Sequence, residues 1–363
     1  MDERLEEILL SNFYSEKLTL KNRIVLSAVP TGIINNGIPT DNNSRFYADR
    51  AKSVGLIIAG AINIAHETAP NFQGMPEIET TEQLLAWQNI TDEVHRQKSK
   101  IIAQLWHSGG YRKLCTTENV ATTTPSGVIA GNIVGKPIAR EDILEIISCF
   151  SQAAINAKKA GFDGIEIQGG HSGLIHNFLS QDTNLRTDSY GQNRVAFAQE
   201  VVSACRQALG EDFLILFKIS QFQMYDFKAR LCGMPEALTD VIRPLSKAGV
   251  DIFDCSALDF RDDAFRNVEG TLTTWVKKIV NKPVITTGSI GSTIPFSEDV
   301  TTIVKALIRS PDFLNQSSAK KAEVRCQEEL LGKLEEKEVD LVGVGRPILL
   351  DSQWVEKVTG KVR

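Results

Sequence analysis

Residues 164–179 read GIEIQGGHSGLIHNFL. An apolar run, 165–167, passes straight into Gln168, two glycines, His171 and another glycine before helical spacing resumes. An amide and an imidazole three residues apart can each donate a hydrogen bond, and placing both at the end of a buried strand among glycines suits a bound ligand better than a packed core. Other residues carry comparable chemistry. Gln104 stands in QLWH, Lys218 follows large apolar residues in FKIS, and Arg346 follows a glycine in VGVGRP.

Such side chains need elements to hold them. The chain alternates short β-branched runs with longer amphipathic stretches, the pattern of repeated βα units. Strands are predicted at 24–27, 56–62, 100–105, 164–168, 214–219, 252–256, 284–287 and 341–344, with helical periodicity between them, as at 81–98 and 140–160. Eight such strands fit an α/β fold of the (β/α)8 TIM-barrel type; a doubly wound sheet is the rival. The 363 residues would allow two or three domains by length alone. A barrel commonly uses about 250 residues or more as one unit, so a single domain over 1–363 is expected, with 1–17 as a lead-in. Two segments exceed the repeat. Residues 107–139, rich in Gly, Thr and Pro, form an extended loop after the third strand, on the face where barrels keep their active sites. Residues 308–337, charged and helical in pattern, form an insertion before the eighth strand, solvated or making an oligomer contact.

Strand ends then become the positions to read. Ser27, Ala28, Val29 and Pro30 are small or flat; they either turn the chain into a loop or form a shelf for a planar ring. Ala61 ends the second strand with the same close approach. Gln104 could cap a loop, or hydrogen-bond a heteroaromatic ring with alternating N–H and C=O groups. Lys218 could snorkel to solvent, or emerge at the barrel mouth and favour electron density on a nearby ring. The turns ITTGSIGS and VGVGRP follow strands seven and eight, where barrels commonly hold a phosphate, and Arg346 adds a planar cationic fork.

Composition narrows the classes. A net charge of −5 argues against a nucleic-acid partner, and no apolar run is long enough to cross a bilayer. The start MDERLEEILL lacks the layout of a signal peptide. Six cysteines at 115, 149, 205, 232, 255 and 326 show no paired spacing, so neither a disulfide framework nor a metal cluster is expected and a cytoplasmic location is. The partner expected is a small molecule, with a homo-oligomer left open.

The segments LTLKNRIVLSAVPTG, RFYADRAKSVGLIIAGA, QLWHSGG, AGFDGIEI, NLRTDSYG, NRVAF and DLVGVGRP, in this order and spacing, resemble the Old Yellow Enzyme family of FMN-dependent oxidoreductases from about Leu18 to Trp354. The resemblance implies a barrel with non-covalent FMN, reduced by NADH or NADPH, that passes hydride to an activated alkene. It implies that Ser27 to Pro30 and Ala61 line the flavin ring, Gln104 bonds its pyrimidine edge, Lys218 faces N1/O2, and Ser289, Gly345 and Arg346 hold the phosphate. Gln168 and His171 fall on the substrate-anchoring pair.

The sequence also departs from the family pattern. The pair is usually His with His or Asn, followed two residues later by a proton-donating Tyr; here it is Gln168 and His171, followed by Gly173. Both can still donate to a substrate carbonyl and stabilise enolate-like charge, but glycine delivers no proton. Tyr111 and Tyr225 are the candidates for a replacement. Pro30 stands where Thr or Cys usually tunes the flavin, and Lys218 where Arg is usual. Asn193 and Arg194 remain from a shortened motif and are expected to tie down the preceding loop. A flavin-dependent isomerase or dehydrogenase, or a barrel that binds FMN without turnover, are the competing readings.

Overall fold

The computed structural model describes residues 1–29, 31, 34–70, 74–112, 122–291 and 327–360. Eight parallel strands close into a barrel in chain order: β1 (Ile24–Leu26), β2 (Leu56–Asn63), β3 (Lys100–Trp106), β4 (Gly164–Gln168), β5 (Leu214–Ser220), β6 (Ile252–Ser256), β7 (Val284–Thr287) and β8 (Leu341–Val344). The last strand pairs with the first through Val342↔Ile24, Gly343↔Val25 and Val344↔Leu26. That pairing leaves no sheet edge and rules out the doubly wound alternative. The predicted strands are the barrel strands, each end within a residue of its expected place.

Among the described residues, the helices of nine or more residues are α1 (Asp41–Ala51), α2 (Thr81–Arg96), α3 (Arg140–Lys159), α4 (Ala196–Leu209), α5 (Pro235–Ala248), α6 (Leu272–Val280) and α7 (Gln327–Glu335). Some of their starts are written locally. In α2, the Thr80 hydroxyl accepts from Gln83 N while Gln83 Oε1 accepts from Thr80 N, so two orphan amides are satisfied reciprocally. Their buried faces follow the 3.6-residue period: α3 covers Ile143, Ile146, Phe150, Ala153, Ala154 and Ala157.

Strand alternation sorts the rest. Ile215, Phe217 and Ile219 of β5 face the helices, whereas Leu214 and Leu216 join Val25, Leu56, Ile58, Ile102, Ile252, Ile285 and Leu341 inside the barrel. From below, the hairpin Phe13–Tyr14 with Thr19–Leu20 pushes Phe13, Leu18 and Leu20 into the same cluster. Each such side chain contributes about 1.5–3 kcal/mol by leaving water, so the lower barrel is a firm apolar floor. Of residues 308–337, 327–335 form α7, which buries Leu330 and Leu334 and reaches the N-terminal helix Glu3–Leu10 through Arg4 and Glu335 at 2.5 Å; residues 308–326 lie outside the described residues. In the long loop after β3, the described part includes a small hairpin, Val128–Ile129 with Asn132–Ile133.

Candidate active site

Continuing up the inward-facing positions, the barrel lining turns polar. Gln104 on β3 donates through Nε2 to Glu166 Oε1 on β4 at 2.6 Å. Lys218 on β5 is ion-paired with Asp254 Oδ2 on β6, and Thr287 on β7 donates to Asp254 Oδ1 at 3.0 Å. Ser27 Oγ follows, 3.5 Å from Thr287 Oγ1. A Cβ on Gly343 would lie 2.2 Å from Thr287 Oγ1, so glycine on β8 is what lets these hydroxyls approach. Lys218 therefore does not snorkel: it is 3% exposed, against a fully buried Asp254. Burial alone would lower its pKa, but Asp254 and then Glu166 outweigh that and raise it. Glu166 is pushed the other way for a carboxyl, up to about 8, chiefly by burial, with Lys218 opposing and Asp254 adding to the rise.

One strand position above Glu166, Gln168 is the register partner of Lys218. Its Oε1 accepts from Gly170 N at 2.9 Å, which leaves the amide NH2 for a ligand. His171 and Ser172 both adopt left-handed backbone, φ +54° and +62°, a conformation that costs energy outside glycine and asparagine. It is held by His171 N donating to Ser220 Oγ at 3.0 Å, Ser172 N to His176 Nδ1 at 3.3 Å and Met224 N to Ser172 Oγ at 2.9 Å. Two residues before His171 the chain needs glycine, since a Cβ on Gly169 would sit 2.2 Å from Phe217 Cζ and 2.9 Å from the Lys218 carbonyl oxygen. The His171 ring stacks on Phe222 with centroids 5.1 Å apart, and its Nε2 lies 2.9 Å from Ser256 Oγ. Burial, then Lys218 and His176, push its pKa down to about 3, so the imidazole is neutral and carries a single N–H. The hydroxyl of Ser256 therefore bears on which nitrogen holds it.

Gly173 caps the short helix Leu174–Leu179 with φ −65°, a value any residue adopts. A Cβ there would meet His107 O at 3.3 Å and Trp106 Cε3 at 3.9 Å. The backbone therefore does not demand glycine here, although a side chain would start close against the His107 carbonyl oxygen. Tyr111 packs edge-on against the same Trp106, centroids 6.2 Å apart. Tyr225 has a buried hydroxyl with no hydrogen-bond partner among the described residues. Its pKa is raised by burial first, then by Asp182 and Asp226.

Across the mouth, Ser27 N donates to Val344 O at 3.1 Å, Ala28 packs on the barrel interior and Ala61 follows Gly60 in β2. Val29 faces Gly345, where a Cβ would meet, among the described residues, only Val29 Cγ1, at 3.5 Å. Pro30 lies outside the described residues. The turns after β7 and β8 come together: Arg346 Nη2 is 3.4 Å from Ser289 Oγ, which itself donates to Leu258 O at 2.6 Å. The helix Arg346–Leu350 is secured from α1, where Arg50 donates through Nε to Ile348 O (2.9 Å) and through Nη2 to Leu349 O (2.6 Å) while lying over the Phe46 ring.

A sequence model of the NADH:flavin oxidoreductase / NADH oxidase family matches residues 13–321. The chain belongs to that family. It is 28% identical, over 95% of its length, to an NADH oxidase of Thermoanaerobacter brockii, covering half of that protein. It is 34% identical over 56% of its length to 12-oxophytodienoate reductase 1 of Oryza sativa subsp. japonica, covering 56% of it. The chain thus spans about half the length of these curated relatives. In fold it resembles the old yellow enzyme homologue from Zymomonas mobilis, with a TM-score of 0.75 at 21% identity over 98% of this chain and 93% of that one. The Old Yellow Enzyme resemblance is borne out, and FMN with a nicotinamide reductant is the cofactor set of this NADH:flavin oxidoreductase family.

The donor set in the structure fits FMN. Gln104 keeps its amide oxygen as an acceptor that suits a ring N–H, and the Arg346 fork suits a phosphate, while the Ser289 hydroxyl is already donated to Leu258 O; among the described residues Gly345 leaves room beside Val29. Among the described residues, no helix is long and apolar enough to cross a membrane, and no cluster of His, Cys, Asp and Glu could hold a metal.

Sequence reading passed over several members of this site. Glu166 and Asp254 lie on inward positions of strands already predicted, so strict alternation through GIEIQ and IFDCS would have exposed them. Arg50 and Ser256 gave no local sign, because their partners are 298 and 85 residues away. Arg194 is exposed. The loop is tied down instead by Arg186, which pairs with Asp188 and donates to Pro125 O (3.0 Å) and Ile138 O (2.7 Å).

Proposed function

We propose that this chain is an FMN-dependent NAD(P)H oxidoreductase of ene-reductase type, acting on an α,β-unsaturated carbonyl or related electron-poor alkene. When bound, FMN would supply the hydride chemistry that links NADH or NADPH to the alkene. The observation that carries the reading is the Gln168–His171 pair. One amide, at the end of the strand beside Lys218, has its oxygen pinned by Gly170, and one neutral imidazole, in the turn that follows, is oriented by Ser256 and Phe222. Two such donors on one carbonyl oxygen stabilise the charge that develops there. Ser27, Ala28, Val29, Pro30 and Ala61 would form the shelf under the ring. Gln104 would bond its pyrimidine edge, Lys218 would lie on the N1/O2 side, and Ser289, Gly345 and Arg346 would take the phosphate.

Gly173 removes the family's proton donor and opens room for a bulkier substrate. Tyr111 is the replacement we favour, because it shares the Trp106 ring with Gly173. The Tyr225 hydroxyl instead feels Asp182, beyond the far end of the Leu174–Leu179 helix. Anaerobic rapid mixing tests the reading. The yellow protein should bleach with NADH or NADPH and recover on adding cyclohexenone, maleimide or a nitroalkene. Bleaching without recovery would point to another electron acceptor, and no bleaching to a non-catalytic barrel.

A further inference from the structure

The polar layer beneath the mouth holds two carboxyls and one ammonium, on adjacent strands and fully enclosed. Asp254 has both oxygens engaged, one by Lys218 and one by Thr287. Glu166 takes the neutral Gln104 amide on Oε1, its Oε2 receives no donor among the described residues, and its remaining polar neighbour is the Asp254 carboxyl, which can only accept a hydrogen bond from a proton on Glu166. A buried carboxylate so poorly compensated costs several kcal/mol. One lysine cannot neutralise two of them.

We infer that Glu166 is a neutral, proton-carrying acid in the resting protein, a positioning residue that fixes the charge beneath the cofactor ring at zero by leaving Lys218 to Asp254 alone. The charged groups bearing on it are Lys218 from β5 and Asp254 from β6; β3 supplies only Gln104. Its pKa near 8 agrees with this balance. The consequence for the cofactor rests on the reading above that Lys218 faces the ring. As the cofactor is reduced by two electrons and its ring gains negative charge, Glu166 holds its proton more tightly. As the pH rises through about 8 and Glu166 ionises, it takes up a growing fraction of a proton, up to one, from solvent with each two-electron reduction.

Infrared spectroscopy of the holoenzyme reads the proton directly. A protonated-carboxyl C=O band should be present at pH 7, fade as the pH passes about 8, and be missing in Glu166→Gln. In Asp254→Asn, Glu166 becomes the sole counterion of Lys218 and should ionise, so the band should vanish at pH 7. A parent protein without the band at pH 7, a band surviving in Glu166→Gln, or one persisting in Asp254→Asn overturns the inference. The parent titration stands by itself if a variant does not fold. The midpoint potential should also fall more steeply with pH above 8 in the parent than in Glu166→Gln; equal slopes would overturn the coupling to the cofactor. Protein that shows the band yet binds no FMN would sink the proposed function and leave the stored proton standing.

Discussion

At the residue scale, the candidate chemistry turns on which protons are where. His171 is neutral, so it donates to a ligand through one nitrogen only, and Ser256 sits on the other side of that choice. If the Ser256 hydroxyl donates to Nε2, then Nδ1 carries the proton and Nε2 is spent; without the hydroxyl the ring loses that bias. Ser256→Ala should therefore weaken binding of a phenol, whose oxygen mimics an enolate, by roughly three- to tenfold, the worth of about one ordinary hydrogen bond. The perturbation of the flavin absorption band on titration measures it. Tyr111→Phe should lower turnover with cyclohexenone by about a hundredfold or more, the usual scale of general-acid help, with Tyr225→Phe close to the parent. Steady-state kinetics of the two variants decide between the tyrosines, and the reverse order would move the proton donor to Tyr225.

The elements do their work through a few cross-links rather than through their own lengths. The helix carrying Arg346 has five residues, too few to be stable alone, and its last carbonyls are held by Arg50 from α1. Arg50→Met would keep much of the packing on Phe46 but leave those carbonyls unpaired. Urea denaturation should show a loss of about 1–3 kcal/mol, and the variant should release FMN more readily on dialysis, since Arg346 would no longer be held in place. Unchanged flavin retention would mean that the helix is fixed by its apolar contacts, Ile348 and Leu349, alone. The loop after β4 obeys the same logic: three side-chain hydrogen bonds, from different elements, hold two left-handed residues that would not persist in an isolated peptide.

For the whole molecule, the buried imidazoles govern acid stability. His171 and His176 have pKa values lowered to about 3 and about 4, in both cases first by burial. The unfolded chain binds protons at both from about pH 6.5 downward, while the folded chain does not until far lower. Stability is thus lost progressively as pH falls from about 6.5 toward 4. The urea midpoint should drop across that window, and less steeply in His171→Gln. A parallel drop in both proteins would mean that other groups dominate.

Much of this was written in the chain itself. Short β-branched runs alternating with period-3.6 stretches fit a closed barrel of eight strands, because parallel strands with helical crossovers must bury both faces of the sheet. Local motifs also put Gln168, His171, Lys218 and Arg346 at strand ends. Tertiary structure alone decided what surrounds them. Lys218 reads in sequence as a free cation and is an ion pair in the fold, because Asp254 comes from the next strand. Glu166 reads as one more strand residue and is an enclosed acid, because the barrel brings it within the field of both. Charge state is set by neighbours in space, and closure of the barrel is what chooses those neighbours.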